Sequence, residues 1–155
     1  VTLIRKATGQ DVPHLLRLLS EMAGEAGETA GSTEATLLAH GFGPQPRFHA
    51  LLATSDHGPF GLIVYFPEYS TWRGQIGLFV QDVYVSPAGR GTGLGRALLA
   101  AAMAHADWNP QFLSLMVARR NAAARAFYAS LGMVLRDEAD QLILDGEGLA
   151  ALNAR

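Results

Sequence analysis

The residues best suited to chemistry lie in one run: Val83-Tyr84-Val85-Ser86-Pro87-Ala88-Gly89-Arg90-Gly91-Thr92-Gly93-Leu94-Gly95-Arg96, followed by Ala97-Leu98-Leu99. The pattern is strand, proline turn, glycine loop, helix. Alternating glycines let the main chain pass close to a ligand, and the unpaired N–H groups at the helix start present the positive end of its dipole. Such a site favours an anion, most simply a pyrophosphate, and Arg90 is placed to add a charged donor. A dinucleotide fingerprint would need G-x-G-x-x-G, and here the third glycine comes too early. A nucleotide-triphosphate loop would end in Gly-Lys-Ser/Thr, and no lysine is present. A merely flexible connector is the remaining reading. A second constellation is Asn121, Ala124 and Tyr128, spaced i, i+3 and i+7, which puts them on one side of a helix. Taken alone, Asn121 reads as a helix cap and Tyr128 as a packed aromatic.

These groups need elements to hold them. Leu3 to Lys6 is predicted as a short strand, and Thr8 with Asp11 as a variant capping box opening a helix. Pro13 fits the first turn of that helix, and Val12, Leu15, Leu16, Leu19 and Met22 form its apolar stripe. A brief second helix is predicted from Ser32 as cap through Ala39, closed by Gly41, before Gly43-Pro44-Gln45-Pro46 forces a turn. Phe48–Thr54, Phe60–Phe66 and Gly77–Val85 read as an antiparallel meander with turns at Asp56-His57-Gly58-Pro59 and Glu68 to Gly74. Gly95–Ala106 reads as a helix, Phe112–Val117 as a strand, and Ala122–Leu131 as a helix ending at Gly132. Leu142–Leu144 is expected to add a last strand and Leu149–Leu152 a terminal helix. The fold class is therefore α/β (α+β), a mixed and mainly antiparallel twisted sheet with helices on both faces.

Composition narrows the chemistry. A chain of 155 residues is expected to form one domain, residues 1–155. Twelve Lys and Arg against fourteen Asp and Glu leave a formal charge of −2, so binding nucleic acid by charge is not expected. The absence of cysteine rules out disulfides, thiolate metal sites and an enzyme-bound thioester. The five histidines form no H-E-x-x-H pair and no serine sits in G-x-S-x-G, so no metal site and no esterase site is expected. No apolar run approaches the roughly 18–20 residues of a membrane span and the first residues lack a signal-peptide pattern, which makes a cytoplasmic protein the expectation.

Arg90-x-x-Gly93-x-Gly95 resembles the Q/R-x-x-G-x-G/A motif of the GNAT acetyltransferases. Asn121-Ala-Ala-Ala-Arg-Ala-Phe-Tyr-Ala-Ser-Leu-Gly132 resembles their second signature. Tyr65-Phe-Pro-Glu-Tyr69-Ser-Thr-Trp72-Arg-Gly74, then Gln81-Asp82-Val-Tyr84-Val85, is similar to the diamine (spermidine/spermine and thialysine) N-acetyltransferases, as is Leu37-Leu-Ala-His-Gly41-Phe-Gly43. The resemblance implies a homodimer that moves acetyl from acetyl-CoA to the primary amine of a small molecule. It implies that Val83, Tyr84, Val85, the loop Arg90, Gly91, Thr92, Gly93, Leu94, Gly95 and Arg96, and Asn121, Ala124 and Tyr128 hold the cofactor. Tyr128 would stabilise or protonate the departing thiolate.

A lysine-like amine is less than about one part in 10³ neutral at pH 7, so a base is needed, and Gln81 and Asp82 are the nearest candidates. The relatives carry Glu-Asp where this chain has Gln81-Asp82. Glutamine cannot act as a base, so that duty falls to Asp82 through a water, or to nothing. By the same resemblance Tyr69, Trp72, Asp82 and Glu34 would bind the substrate. Arg119 and Arg120 would meet a substrate carboxylate, a cofactor phosphate or water. Two alternatives stay open: a non-catalytic acyl-CoA-binding module, and an acetyltransferase acting on a protein or peptide amine.

Overall fold

The computed structural model describes residues 1–154, in two compact units, Val1–Met116 and the chain from Val117 onward. The first unit is a five-stranded sheet in sequential order: β1 (Leu3–Lys6), β2 (His49–Ser55), β3 (Gly58–Ser70), β4 (Gln75–Val85) and β5 (Leu113–Leu115). The first four strands pair antiparallel, β2–β3 and β3–β4 through short turns and β1–β2 across the segment that holds two helices, and β5 runs parallel to β4 after a helical crossover. Helix α1 (Val12–Glu25) and helix α2 (Glu34–Gly41) follow β1, and α3 (Leu94–His105) is the crossover helix.

Alternation in the strands sorts the core into two layers. Val12, Leu15, Leu18 and Leu19 of α1 and Leu37 of α2 pack on Leu52, Leu62, Val64 and Tyr84. Leu51, Ala53 and Ile63 point the other way, on the face of Gly61, where an added Cβ would lie 3.4 Å from Leu94 of α3. Helices therefore cover both faces of the sheet. Leu18, Leu52, Leu62 and Leu98 are fully buried, each contributing about 1.5–3 kcal/mol of transfer energy.

The elements match the sequence expectations closely, with four differences. Thr33, not Ser32, caps α2, its hydroxyl accepting from the Thr36 N–H at 3.1 Å. The β3–β4 hairpin is longer than predicted, because Pro67 to Ser70 continue the ladder to Gln75. Strand β5 is three residues long and pairs with β4 only from Leu78 to Val80. Leu142–Leu144 is not a strand. Its side chains are exposed, and three residues of strand propensity gain nothing without a neighbour's amides.

In the second unit α4 (Ala122–Ser130) is capped by Asn121, whose Oδ1 accepts from the Ala124 N–H at 3.1 Å. The helix ends in a Schellman turn: Met133 N–H reaches Tyr128 C=O at 3.1 Å with Gly132 at φ +89°. Glycine is favoured there because a Cβ strains the left-handed backbone. Helix α5 (Gly146–Asn153) contains the predicted terminal helix.

Candidate functional site

The site in the first unit is built where β4 outruns β5. Parallel pairing ends at Val80↔Leu115, yet β4 continues to Val85. At that point the β3–β4 register slips, from Tyr65↔Val80 to Val64↔Asp82, leaving Gln81 as the extra residue of a bulge. A bulge bends its strand and leaves one residue out of the ladder. From Gln81 to Val85 the β4 edge turned away from β3 has no strand partner among the described residues; Val85 C=O is taken by Arg90 Nε, and the outward main-chain groups before it are open to an extended ligand.

The bulge also sets which side chains face where. Leu78, Val80, Val83 and Val85 share the face of α3, while Asp82 and Tyr84 share the face of α1, each opposite Val64 and Leu62 respectively. The sequence carries a trace of this: valines and leucine alternate through Leu78 and Val80, then resume one residue late at Val83 and Val85. Tyr84 is core, and burial, followed by the hydrogen bond to Glu25, pushes its hydroxyl up to about 12. Of the predicted cofactor residues Val83, Tyr84 and Val85, Tyr84 can therefore offer only main chain. Gln81 is exposed. Asp82 is half-buried, burial alone raises its carboxyl above the ordinary aspartate value, and no hydrogen bond or ion pair engages it among the described residues.

Beyond Val85 a 3₁₀ turn (Pro87–Gly89) leads into the loop. Gly91 and Gly93 adopt φ +75° and +82°, and an added Cβ at either would meet open space. Backbone conformation, not crowding, selects glycine at both. Thr92 Oγ1 braces the turn by donating to Gly89 C=O at 2.7 Å. Gly93 is the N-cap of α3 and has no side chain to close it, so the N–H groups of Leu94, Gly95 and Arg96 precede the first bond, Ala97 N–H to Gly93 C=O. A cavity of about 260 Å³ lined by Thr2, Ile4, Thr92, Gly93, Leu94 and Ala97 adjoins the loop. Open amides, two unshielded glycines and free space fit a diphosphate. Leu94 points its side chain into the core and offers only its amide, whereas Arg96 is exposed.

Arg90 is placed differently from the free donor that the sequence suggests. Its guanidinium grips Glu25 of α1 at 2.7 and 2.8 Å, Nε donates to Val85 C=O at 2.8 Å, and the group lies 5.5 Å from the Tyr84 ring centroid. Ser86 donates to Glu21 at 2.9 Å. Two carboxylates of α1, one turn apart, thus tie down the entry to the loop, a long-range contact with no local sequence signal.

The predicted substrate residues are dispersed over the first unit. Glu34 is exposed in the first turn of α2. Trp72 is fully exposed at the hairpin tip. Tyr69, opposite Ile76, lies on the face of Tyr65 and Pro67, away from Asp82. In the second unit Asn121 spends its carbonyl oxygen on the cap and keeps its amide N–H groups. Ala124 and Tyr128 are half-buried, and burial raises the Tyr128 hydroxyl above its ordinary value, which keeps it protonated at neutral pH. Arg119 is exposed and lies 3.5 Å from Asp137. Among the described residues no cluster of His, Asp and Glu could hold a metal ion, and no helix is long and apolar enough to cross a membrane.

Comparison with known proteins agrees with this geometry. Residues 46–133 match the family model described as an acetyltransferase (GNAT) domain. The chain is 33% identical over 141 residues to a thialysine N-epsilon-acetyltransferase of Bos taurus, covering 84% of this chain and 82% of that protein. It is 34% identical over 105 residues to the spermidine/spermine N(1)-acetyltransferase-like protein 1 of Homo sapiens, covering 62% of this chain and 15% of that one. An integron cassette protein from the mobile metagenome of V. cholerae shares the fold at TM-score 0.82, with 22% identity over 99% of this chain and 98% of that one. The unpartnered β4 edge, the amide-lined helix start and these matches lead to one assignment: the chain is an enzyme of the GNAT acetyltransferase family.

Proposed function

We propose that this protein transfers acetyl from acetyl-CoA directly to the primary amine of a small molecule, a diamine or an amino-acid-like amine. The observation that carries this reading is Asp82, an unpaired, half-buried carboxylate at the bulge of the strand that feeds the open loop. The family match runs from residue 46 to 133, and so across the division between the two units, which supports one catalytic domain. The thialysine acetyltransferase likeness supports a small amine as acceptor, and the family supports acetyl-CoA as donor.

When bound, acetyl-CoA supplies the thioester carbonyl that the amine attacks. The main-chain amides of Gly91 to Arg96 hold the pyrophosphate, aided by the dipole of α3. The open β4 edge about Val83 would align the pantetheine arm, and by the family likeness Asn121 would offer its amide to the cofactor. Asp82 takes a proton from the incoming ammonium through a water. Its raised pKa brings it closer to the range in which a base works at neutral pH. As the C–N bond formed and the C–S bond broke, the Tyr128 hydroxyl would give its proton to the sulfur, and the second proton shed by the acylated nitrogen would restore that hydroxyl through solvent. The protein works as a homodimer in the cytoplasm.

Incubation with acetyl-CoA and a panel of diamines, amino acids and peptides, followed by free-thiol release, tests this. Release with a small amine is expected. Turnover confined to peptides would move the reaction to protein amines, and cofactor binding without release on any amine would make the chain a non-catalytic acyl-CoA module. Tyr128→Phe should lower kcat about a hundredfold with little change in coenzyme A affinity. Unchanged turnover removes Tyr128 from the reaction.

A further inference from the structure

The face of the β3–β4 hairpin that carries Asp82 continues outward past the cover of α1. Cross-strand partners share a face, and on this one the rows run Val64↔Asp82, Phe66↔Phe79 and Glu68↔Gly77. The Phe66 and Phe79 rings stack with centroids 5.1 Å apart. Both remain half-buried, so they form an apolar floor that is not sealed within the core. At its far end Glu68 accepts a hydrogen bond from the Ser114 hydroxyl of β5, and Ser114 is the register partner of Phe79. The basic residue of the hairpin turn, Arg73, lies over the Phe112 ring and is not paired with Glu68. Among the described residues no ion pair neutralises that carboxylate.

Two carboxylates thus mark the ends of an aromatic strip. Four residue steps of strand lead from Val64 to Glu68, about 13 Å at strand rise, of which the two side chains take up part. A linear chain of several methylenes with a nitrogen at each end fits this arrangement. Methylenes and an ammonium both sit well over aromatic rings, and a carboxylate fixed by a neighbouring hydroxyl meets an ammonium with less ordering cost.

Building on the acetyl-transfer reading, we propose that Glu68 binds the second, non-reacting ammonium of a linear diamine whose other nitrogen reacts at Asp82. Ser114 is its positioning residue. Glu68 is a specificity determinant and takes no part in the chemistry. The strip rejects an acceptor that has a carboxylate where the second ammonium would lie, because two anions would then meet.

The test is thiol release with diaminopropane, diaminobutane and diaminohexane, each against the alkylamine of equal length. For the wild type, kcat/KM for the preferred diamine should exceed that for its monoamine by about ten- to a hundredfold, the value of one charge-assisted hydrogen bond. Glu68→Gln should erase that preference through KM, leaving kcat and monoamine turnover within about twofold of wild type. Glu68→Asp keeps the charge but withdraws it, and should shift the preferred diamine to a longer one. Ser114→Ala should weaken the preference in the same direction, and less. A wild type that treats diamines and monoamines alike, or a Glu68→Gln variant that keeps the preference, overturns this inference and leaves acetyl transfer standing. No turnover of any amine overturns both.

Discussion

The protein builds the same local plan twice. At β1–α1 and at β4–α3 a strand runs into a 3₁₀ turn and then into a helix, with an aspartate in the turn of the first corner and in the strand of the second. The first corner is closed by its own side chains. Asp11, 7% exposed, takes the Arg5 guanidinium at 2.8 and 2.9 Å, the Thr8 N–H at 2.8 Å and the Thr8 hydroxyl at 3.2 Å. The Arg5 hydrogen bonds, ahead of the Thr8 contacts, hold its carboxyl well below the usual range. The second corner is left open: Asp82 has no partner and its carboxyl is raised, and α3 begins on a glycine that cannot cap it. A buried carboxylate that is paired and hydrogen-bonded destabilises the fold when its partner is lost, whereas one left unanswered costs stability from the outset. The pairing therefore separates a structural aspartate from one available to a substrate.

Removing each charge in turn should separate them most widely. Asp82→Asn should lower kcat by about 10²- to 10⁴-fold, the range of a general base. Its thermal midpoint should stay level or rise, because the substitution removes a buried charge that nothing balances. Turnover near wild type in thiol release, or a large fall in the midpoint, would make Asp82 structural like Asp11 and erase the distinction.

How the two corners read in sequence follows from what each depends on. Thr8 and Asp11 lie three residues apart, so the capping box is local and legible. The stripe through Val12, Leu15 and Leu19 and the Gly91 and Gly93 pattern were legible for the same reason, and with them the sheet, both helical layers and the loop. What escaped depends on distant partners. Glu25 and Arg90 meet across 65 residues, and Glu68 meets Ser114 across 46. The bulge left only a slip in alternation after Val80, visible once the register is known. Tyr69 was expected beside the substrate from its motif, yet strand parity puts it on the face opposite Asp82 and leaves Glu68 on the near one. Leu142–Leu144 shows the same limit from the other side, since propensity without a pairing edge produced no strand.

The closed corner predicts a stability effect of the opposite kind. Asp11→Asn should cost about 1–3 kcal/mol, discounted toward the lower end because Arg5 is 38% exposed, with kcat per folded molecule unchanged. The folded pKa of Asp11 lies below its unfolded value, so its stabilisation is present above the ordinary aspartate pKa of about 3.9 and is lost as pH falls toward the folded value. For Asp82 the folded pKa lies above the unfolded one, so the folded state binds the extra proton and stability declines as pH rises through that window. Chemical unfolding from pH 3 to 6 should therefore show a shallower acid loss for Asp11→Asn than for wild type, and for Asp82→Asn a steeper gain with rising pH. Identical slopes in all three proteins would remove the electrostatic basis of the contrast.

The smallest effect should come from Gly93. Alanine there meets no neighbouring atom, so only the left-handed backbone at φ +82° resists it, at about 1 kcal/mol. Were the loop just a connector, that cost would appear in the thermal midpoint alone. If its amides grip a diphosphate, relaxing Gly93 toward negative φ turns the N–H groups of Leu94 and Gly95 away from the ligand, and the dissociation constant for coenzyme A should rise several-fold while that for a free amine substrate stays fixed. Calorimetric titration of coenzyme A into wild type and Gly93→Ala decides between the two: equal affinities would mean that the open start of α3 is as much a matter of structure as the boxed 3₁₀ turn that leads into α1.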